Sequence, residues 1–291
     1  MSKPAELSVL ILAVLFVLSC AQEASNYGYL ESASTQAVEV TSEYPQIIKV
    51  ILPGGRGLCT GSVISPRAVL TAAHCVTEEG AYRVYTSAGV RSTYLVENLG
   101  NGDLGDSRDV ALLIFSADLP GPYLPIGFNS VAISDAVRLV GFGCNDLDTR
   151  LGTGSKRTGT NRIVNIDDFL VLATPLDVPQ SHRRILGPDN LAGSCFGDSG
   201  GPLLRFSDGQ LRVVGVAHAG GWNDTQLVSR YVNLSRAEIV DFLHEVDGRY
   251  DLGLFDVCRI SPESVGCRVD QASAGINSLL SWIWQKIALL F

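Results

Sequence analysis

A chain of 291 residues with 46% hydrophobic side chains can bury a substantial core, which excludes wholesale disorder. Only 18% of residues are charged, and 22 Lys and Arg are scattered without a basic run under a net charge of −8. Nucleic-acid binding therefore has little electrostatic support.

Residues 1–21 read as an export signal. Lys3 gives a weakly positive start, and Leu7 to Leu18 is an apolar run broken only by Ser8. That run is too short to span a bilayer and suits a signal-peptide core. Two processing routes are open. Ser19-Cys20-Ala21 has the small-x-small form of ordinary signal cleavage, with a mature start at Gln22. Val17-Leu18-Ser19-Cys20 has the form of a bacterial lipobox, in which Cys20 is lipidated and attaches the chain to a membrane. A cysteine closing an apolar run tips the reading toward lipidation, and so toward a bacterial cell envelope; ordinary cleavage gives a secreted protein. Either route leaves six cysteines (Cys59, Cys75, Cys144, Cys195, Cys258 and Cys267), an even set that argues for three disulfides in an oxidising compartment.

Residues 22–44 are small and polar, suiting a linker or N-terminal arm. From Pro45 the chain turns to short apolar stretches bounded by Gly, Pro, Asn and Asp. Gln46–Leu52, Val63–Leu70, Tyr82–Tyr85, Val110–Phe115, Ala136–Val140 and Leu211–Ala217 read as strands of an antiparallel, all-β domain over 45–247. One helix follows. Ser235-Arg236-Ala237-Glu238 is a capping box, Ile239, Val240, Phe242, Leu243 and Val246 form the apolar stripe, and Asp247-Gly248 ends the element. Residues 248–291 form an extension around Cys258 and Cys267 that closes in an amphipathic helix over 275–291. That helix is expected to pack on the domain through Ile276, Leu280, Ile283 and Ile287. The alternative is an interfacial membrane helix using Trp282, Trp284 and Lys286.

The chemistry concentrates in Gly197-Asp198-Ser199-Gly200-Gly201-Pro202. A serine hydroxyl is a poor nucleophile. It needs a base beside it and donors for the oxyanion it creates, and flanking glycines let the backbone turn its amides, here those of Gly197 and Ser199, onto one point. His74, in Thr71-Ala72-Ala73-His74-Cys75, is the candidate base, whereas His182 and His244 read as surface residues. Asp109 opens the apolar run Asp109-Val110-Ala111-Leu112-Leu113-Ile114, and a carboxylate entering a buried strand needs a partner such as an imidazole. Asn101, Asp103 and Asp106 lack the spacing of a calcium loop and read as turn chemistry, so no metal is expected.

The order His…Asp…Ser and these motifs together resemble the trypsin/chymotrypsin family of serine proteases. Cys59-Thr60-Gly61-Ser62-Val63-Ile64-Ser65 leading to Ala72-Ala73-His74-Cys75 looks like the family's first disulfide loop. Asp109–Leu113 looks like its aspartate strand, Cys195–Pro202 like its nucleophile loop, and Val140-Gly141-Phe142-Gly143 like a strand of its second barrel. The resemblance spans about 45–246. It implies two six-stranded antiparallel Greek-key barrels with a C-terminal helix and a triad of His74, Asp109 and Ser199 in the cleft between them. It also implies acyl-enzyme hydrolysis of peptide bonds in protein or peptide substrates, no cofactor, and a monomer. A catalytically silent homologue serving as an extracellular binding module is the alternative.

Four departures stand out. No Ile-Val-Gly-Gly start occurs near Ala33-Ser34-Thr35-Gln36, so what satisfies Asp198 is open. Gly193 stands at the floor of the specificity pocket, walled by Gly220 and Ser229, and without a carboxylate there the pocket favours apolar or neutral side chains unless Asp224 reaches in. His218 replaces a serine in Gly215-Val216-Ala217-His218-Ala219-Gly220. It either contacts Asp109 or fills space, and filling space is the expectation. Finally, the resemblance pairs Cys59 with Cys75, but Cys195 lacks its usual downstream partner. Cys144 takes that place, leaving Cys258 with Cys267.

Overall fold

The computed structural model describes residues 38–39, 42–103, 105–175, 191–222 and 225–255. Cys20, His182, Asp224, the Cys258–Cys267 pair and the 275–291 helix lie outside them.

The N-terminal sheet contains β2 (Ile47–Ile51), β3 (Leu58–Ser65), β4 (Ala68–Thr71), β5 (Tyr82–Thr86), β6 (Gly89–Thr93), β7 (Leu95–Asn98) and β8 (Ala111–Ile114). All its pairings are antiparallel, in the order β6-β5-β2-β3-β4-β8-β7. The edge strands β6 and β7 are separated only by Tyr94, so one bent segment links both edges and rolls the sheet up. Where one face meets solvent the residues alternate, as in Tyr82-Arg83-Val84-Tyr85, whose first and third members are buried. β4 and β8 are buried throughout, which is why they read as continuous apolar runs. The strand expected over Val63–Leu70 is two strands, β3 and β4, because Pro66 and Arg67 turn the chain into a hairpin.

The second sheet contains β9 (Ala136–Gly141), β10 (Arg157–Ile166), β11 (Phe169–Pro175), β12 (Pro202–Ser207), β13 (Gln210–Trp222) and β14 (Gln226–Asn233). The order β10-β11-β14-β13-β12-β9, with β9 also paired to β10, closes a six-stranded barrel. Within the expected arm, β1 (Val38–Glu39) pairs with β10 on its outside. The expected all-β, chymotrypsin-like architecture is present, with seven strands rather than the expected six in the first sheet, and one apolar cluster runs from Ile47 and Leu112 through Val216 and Val232, joining the two barrels.

The helix α1 (Ala237–Tyr250) buries Ile239, Phe242, Leu243 and Val246 as expected, but both of its ends differ from the sequence reading. The capping box does not form. Arg236 takes the N-cap position, the Ser235 hydroxyl donates to Asn233 at 2.8 Å, and Glu238 pairs with Arg236 at 2.5 Å. Asp247-Gly248 does not stop the helix either. Arg249 bridges to Glu245 and Glu97, and Arg67 donates to the carbonyls of Tyr250 and Asp251 at 2.5 and 2.8 Å. These contacts outweigh the roughly 1 kcal/mol that a helical glycine costs.

Candidate active site

His74 lies in the 3₁₀ turn Ala73–Val76 directly after β4, tied back to β3 by the Cys59–Cys75 disulfide with Cα atoms 6.3 Å apart. Asp109 lies two residues before β8, and the register Thr71↔Ala111 brings the histidine turn to the carboxylate. The imidazole Nδ1 is 2.7 Å from Asp109 Oδ2, and the His74 amide donates to Oδ1 at 2.8 Å. Asp109 has no solvent exposure. Burial pushes its carboxyl up, but hydrogen bonds from His218 and His74, reinforced by their charge, outweigh it and hold the group at about 2.

His218 is therefore not a space filler, contrary to the sequence expectation. Its Nδ1 is 2.6 Å from Asp109 Oδ2 in a fully buried contact. The two residues are 109 positions apart, so only the folded barrels bring them together.

Ser199 sits in the loop before β12, almost wholly buried, and the second barrel presents it to the first. Thr60 of β3 holds this loop from both ends. Its amide donates to the Ser199 carbonyl at 2.8 Å and its hydroxyl to the Gly197 carbonyl at 2.7 Å, while that hydroxyl accepts from the Phe142 amide at 3.1 Å. The Gly200 amide donates to Ala217, the residue before His218. A side chain at Gly200 would lie 2.1 Å from Thr71 Oγ1 and 2.9 Å from the Ala72 amide, and its φ of +78° suits glycine. The loop thus rests directly on the segment that carries His74. The amides of Asp198, Gly200 and Gly201 are bonded to main-chain carbonyls, whereas those of Gly197 and Ser199 have no acceptor among the described residues.

The buried Asp198 carboxylate accepts from the Gly143 amide and the Cys195 amide, each at 2.8 Å. Gly143 has room for no side chain, since a Cβ would fall 2.1 Å from Asp198 Oδ2. Arg157 fixes this turn by donating to the carbonyls of Gly143 and Gly152 at 2.8 and 2.7 Å. Cys144 and Cys195 are bridged, with Cα atoms 5.3 Å apart, as expected. Thr60 and Arg157 escaped the sequence reading. The one available signal was a hydroxyl between Cys59 and Gly61 in a strand otherwise suited to burial.

Gly193, Gly220 and Ser229 come together at one end of the second barrel, where Gly220 faces Ser229 across β13–β14 and Ser229 Oγ accepts from the Ser194 amide at 3.0 Å. Leu227, which the sequence did not single out, covers this place. A Cβ on Gly193 would lie 2.4 Å from Leu227 Cδ2 and 3.1 Å from Thr174 Oγ1, and both residues have zero exposure. Among Asn101, Asp103 and Asp106, the structure shows turn hydrogen bonds and an Asp106–Arg108 ion pair.

Two antiparallel sheets, a carboxylate-bound imidazole from one and a glycine-framed serine from the other define a chymotrypsin-like fold. A solved Glu endopeptidase shares it, with a TM-score of 0.52 at 18% identity over 76% of this chain and 99% of that one. The family model described as Trypsin matches residues 35–238. The chain is 32% identical over 181 residues to a trypsin of Simulium vittatum, covering 56% of this chain and 70% of that protein. It is 26% identical over 180 residues to isozyme C of a fibrinolytic enzyme of Lumbricus rubellus, covering 54% and 74%. The chain belongs to the trypsin family.

Proposed function

We propose that the protein is a serine endopeptidase that cleaves protein or peptide substrates through an acyl-enzyme. The observation that carries this reading is His74, hydrogen-bonded to the buried Asp109 carboxylate, on the segment against which the Ser199 loop is packed. Ser199 attacks the carbonyl and His74 takes its proton and passes it to the leaving amine. Asp109 holds the imidazole tautomer and stabilises the imidazolium. The Gly197 and Ser199 amides, which no protein acceptor engages among the described residues, are the donors for the oxyanion.

The residue before the scissile bond is small and neutral on this proposal. The pocket has no carboxylate at Gly193, and Leu227 shortens it from the side. Asp198 accepts from the Gly143 and Cys195 amides, which hold its carboxylate inside the nucleophile loop. The two disulfides fit an exported protein. Relatives from an insect and an earthworm support ordinary signal cleavage after Ala21 over the bacterial lipidation of Cys20.

Labelling with a fluorophosphonate, together with hydrolysis of a peptide panel, tests the proposal. The protein should label and cleave, and Ser199→Ala should lose both with its melting temperature unchanged. An oxidised, folded protein that neither labels nor cleaves would favour the binding-module reading.

A further inference from the structure

His218 occupies the register irregularity of β13 between Ala217 and Ala219, where the ladder to β14 shifts. Its ring lies flat on Phe169 of β11, with centroids 4.7 Å apart and planes 11° apart, and stands edge-on to His74 at 6.2 Å. It is 1% exposed. Two imidazole Nδ1 atoms thus converge on one oxygen, Asp109 Oδ2, at 2.7 and 2.6 Å, while Oδ1 is occupied by the His74 amide. Asp109 accepts only, so each Nδ1 that shares Oδ2 must carry its proton.

We propose that His218 is a positioning residue of the triad: its Nδ1–H, locked in place by stacking on Phe169, fixes the Asp109 carboxylate and tempers its pull on the His74 proton. This rests on the endopeptidase reading of Ser199, His74 and Asp109. A carboxylate oxygen shared between two donors is a weaker base toward each than one serving a single donor. With His218 present, Asp109 orients His74 yet lets its imidazole release the proton that it takes from Ser199. Without it, the carboxylate turns more freely and holds the His74 proton more tightly. The direction is the same whether His218 is neutral or protonated, because loss of a donor and loss of a nearby positive charge both strengthen the Asp109–His74 attraction.

Among the described residues, the titratable groups facing His218 are few. Asp109 and His74 face it from the first sheet, and β11 offers the uncharged Phe169 ring. On β14, Tyr231 and Arg230 stand opposite its neighbours Ala217 and Ala219. Burial raises the Tyr231 phenol out of the working range, and Arg230 is exposed. His74 is therefore the group whose titration reports on His218.

The test compares His218→Leu, which keeps volume without a donor, with His218→Asn, which restores an N–H close to the position of Nδ1. In the full chain, NMR follows the His74 ring against pH, and kinetics give kcat, KM and the pH profile of kcat/KM. In His218→Leu the His74 midpoint and the acid limb should both move up by about half a unit or more. Its kcat should fall roughly 10- to 100-fold, the loss expected for a hydrogen bond to a charged group, with KM nearly unchanged. His218→Asn should recover most of both. A His74 midpoint equal in wild type, Leu and Asn variants would overturn the proposal, as would equal kcat losses in Leu and Asn. Failure of the wild type to label with fluorophosphonate would instead overturn the endopeptidase reading, and the NMR titration reads His218 independently of it.

Discussion

Thr60→Val replaces one hydroxyl with a methyl of nearly the same shape, in a strand with no room for rearrangement. It deletes the bond from Thr60 Oγ1 to the Gly197 carbonyl at 2.7 Å and the bond that Oγ1 accepts from the Phe142 amide at 3.1 Å. Both orphaned groups are buried, and each costs about 1–3 kcal/mol when left without a partner. The bond from the Thr60 amide to the Ser199 carbonyl and that from Thr71 Oγ1 to the Thr60 carbonyl survive, so the strand register holds. A net loss of about 3 kcal/mol follows, which for a domain of this size lowers the melting temperature by roughly 6–12 °C. Because Gly197 carries one of the proposed oxyanion donors, kcat should fall about tenfold with KM little changed. Thr60→Ser keeps the hydroxyl and should lose less than about 1 kcal/mol, a control for the methyl group. Thermal melts and peptide hydrolysis on the three proteins decide the matter. A Val variant melting within about 2 °C of wild type with intact kcat would refute the claim that Thr60 holds the nucleophile loop.

Two further outcomes are expected. Asp109, held at about 2 against an ordinary 3.8, contributes about 2 kcal/mol that is fully present above pH 4 and disappears as pH falls toward 2. Denaturant titrations at stepped pH should therefore show wild type losing stability faster than Asp109→Asn below pH 4, and parallel curves would contradict this. Leu227→Ala should open the space beside Gly193 and raise the preference for Leu or Phe over Ala before the scissile bond by roughly 10- to 100-fold. A folded variant with an unchanged preference would show that Leu227 does not set the pocket.

The residues proposed as the triad stood out because each sits in a local motif, and a turn rich in glycine or a carboxylate opening an apolar run is visible in a few consecutive letters. Strands such as Tyr82–Tyr85 were legible for the same reason, since their pleat shows as a period of two. β10 was not, because Arg157-Thr158-Gly159-Thr160-Asn161 looks like a loop. Its buried Arg157 and Asn161 find their partners among carbonyls of other segments, Gly143 for one and Ala192 for the other. His218 and Leu227 were misread or missed because their roles depend on where β13 and β14 lie against Asp109 and Gly193. The helix stop at Gly248 failed because Arg67 and Glu97, far back in the chain, hold the last turn in place.

That last contact constrains how the chain assembles. Arg67 follows β3 in the first barrel, yet its guanidinium partners are carbonyls 183 and 184 residues downstream, and Glu97 waits for Arg249 and Tyr250 across comparable spans. During synthesis the first barrel emerges whole while the segment that clasps it is still unmade. Its outer edge must stay wet and provisional until the second barrel has been translated. Closing such long loops is slow, so the docking of the end of α1 on the first barrel is a late event. A nascent or truncated chain ending before α1 would carry both halves of the proposed active site without the clasp that locks the first of them.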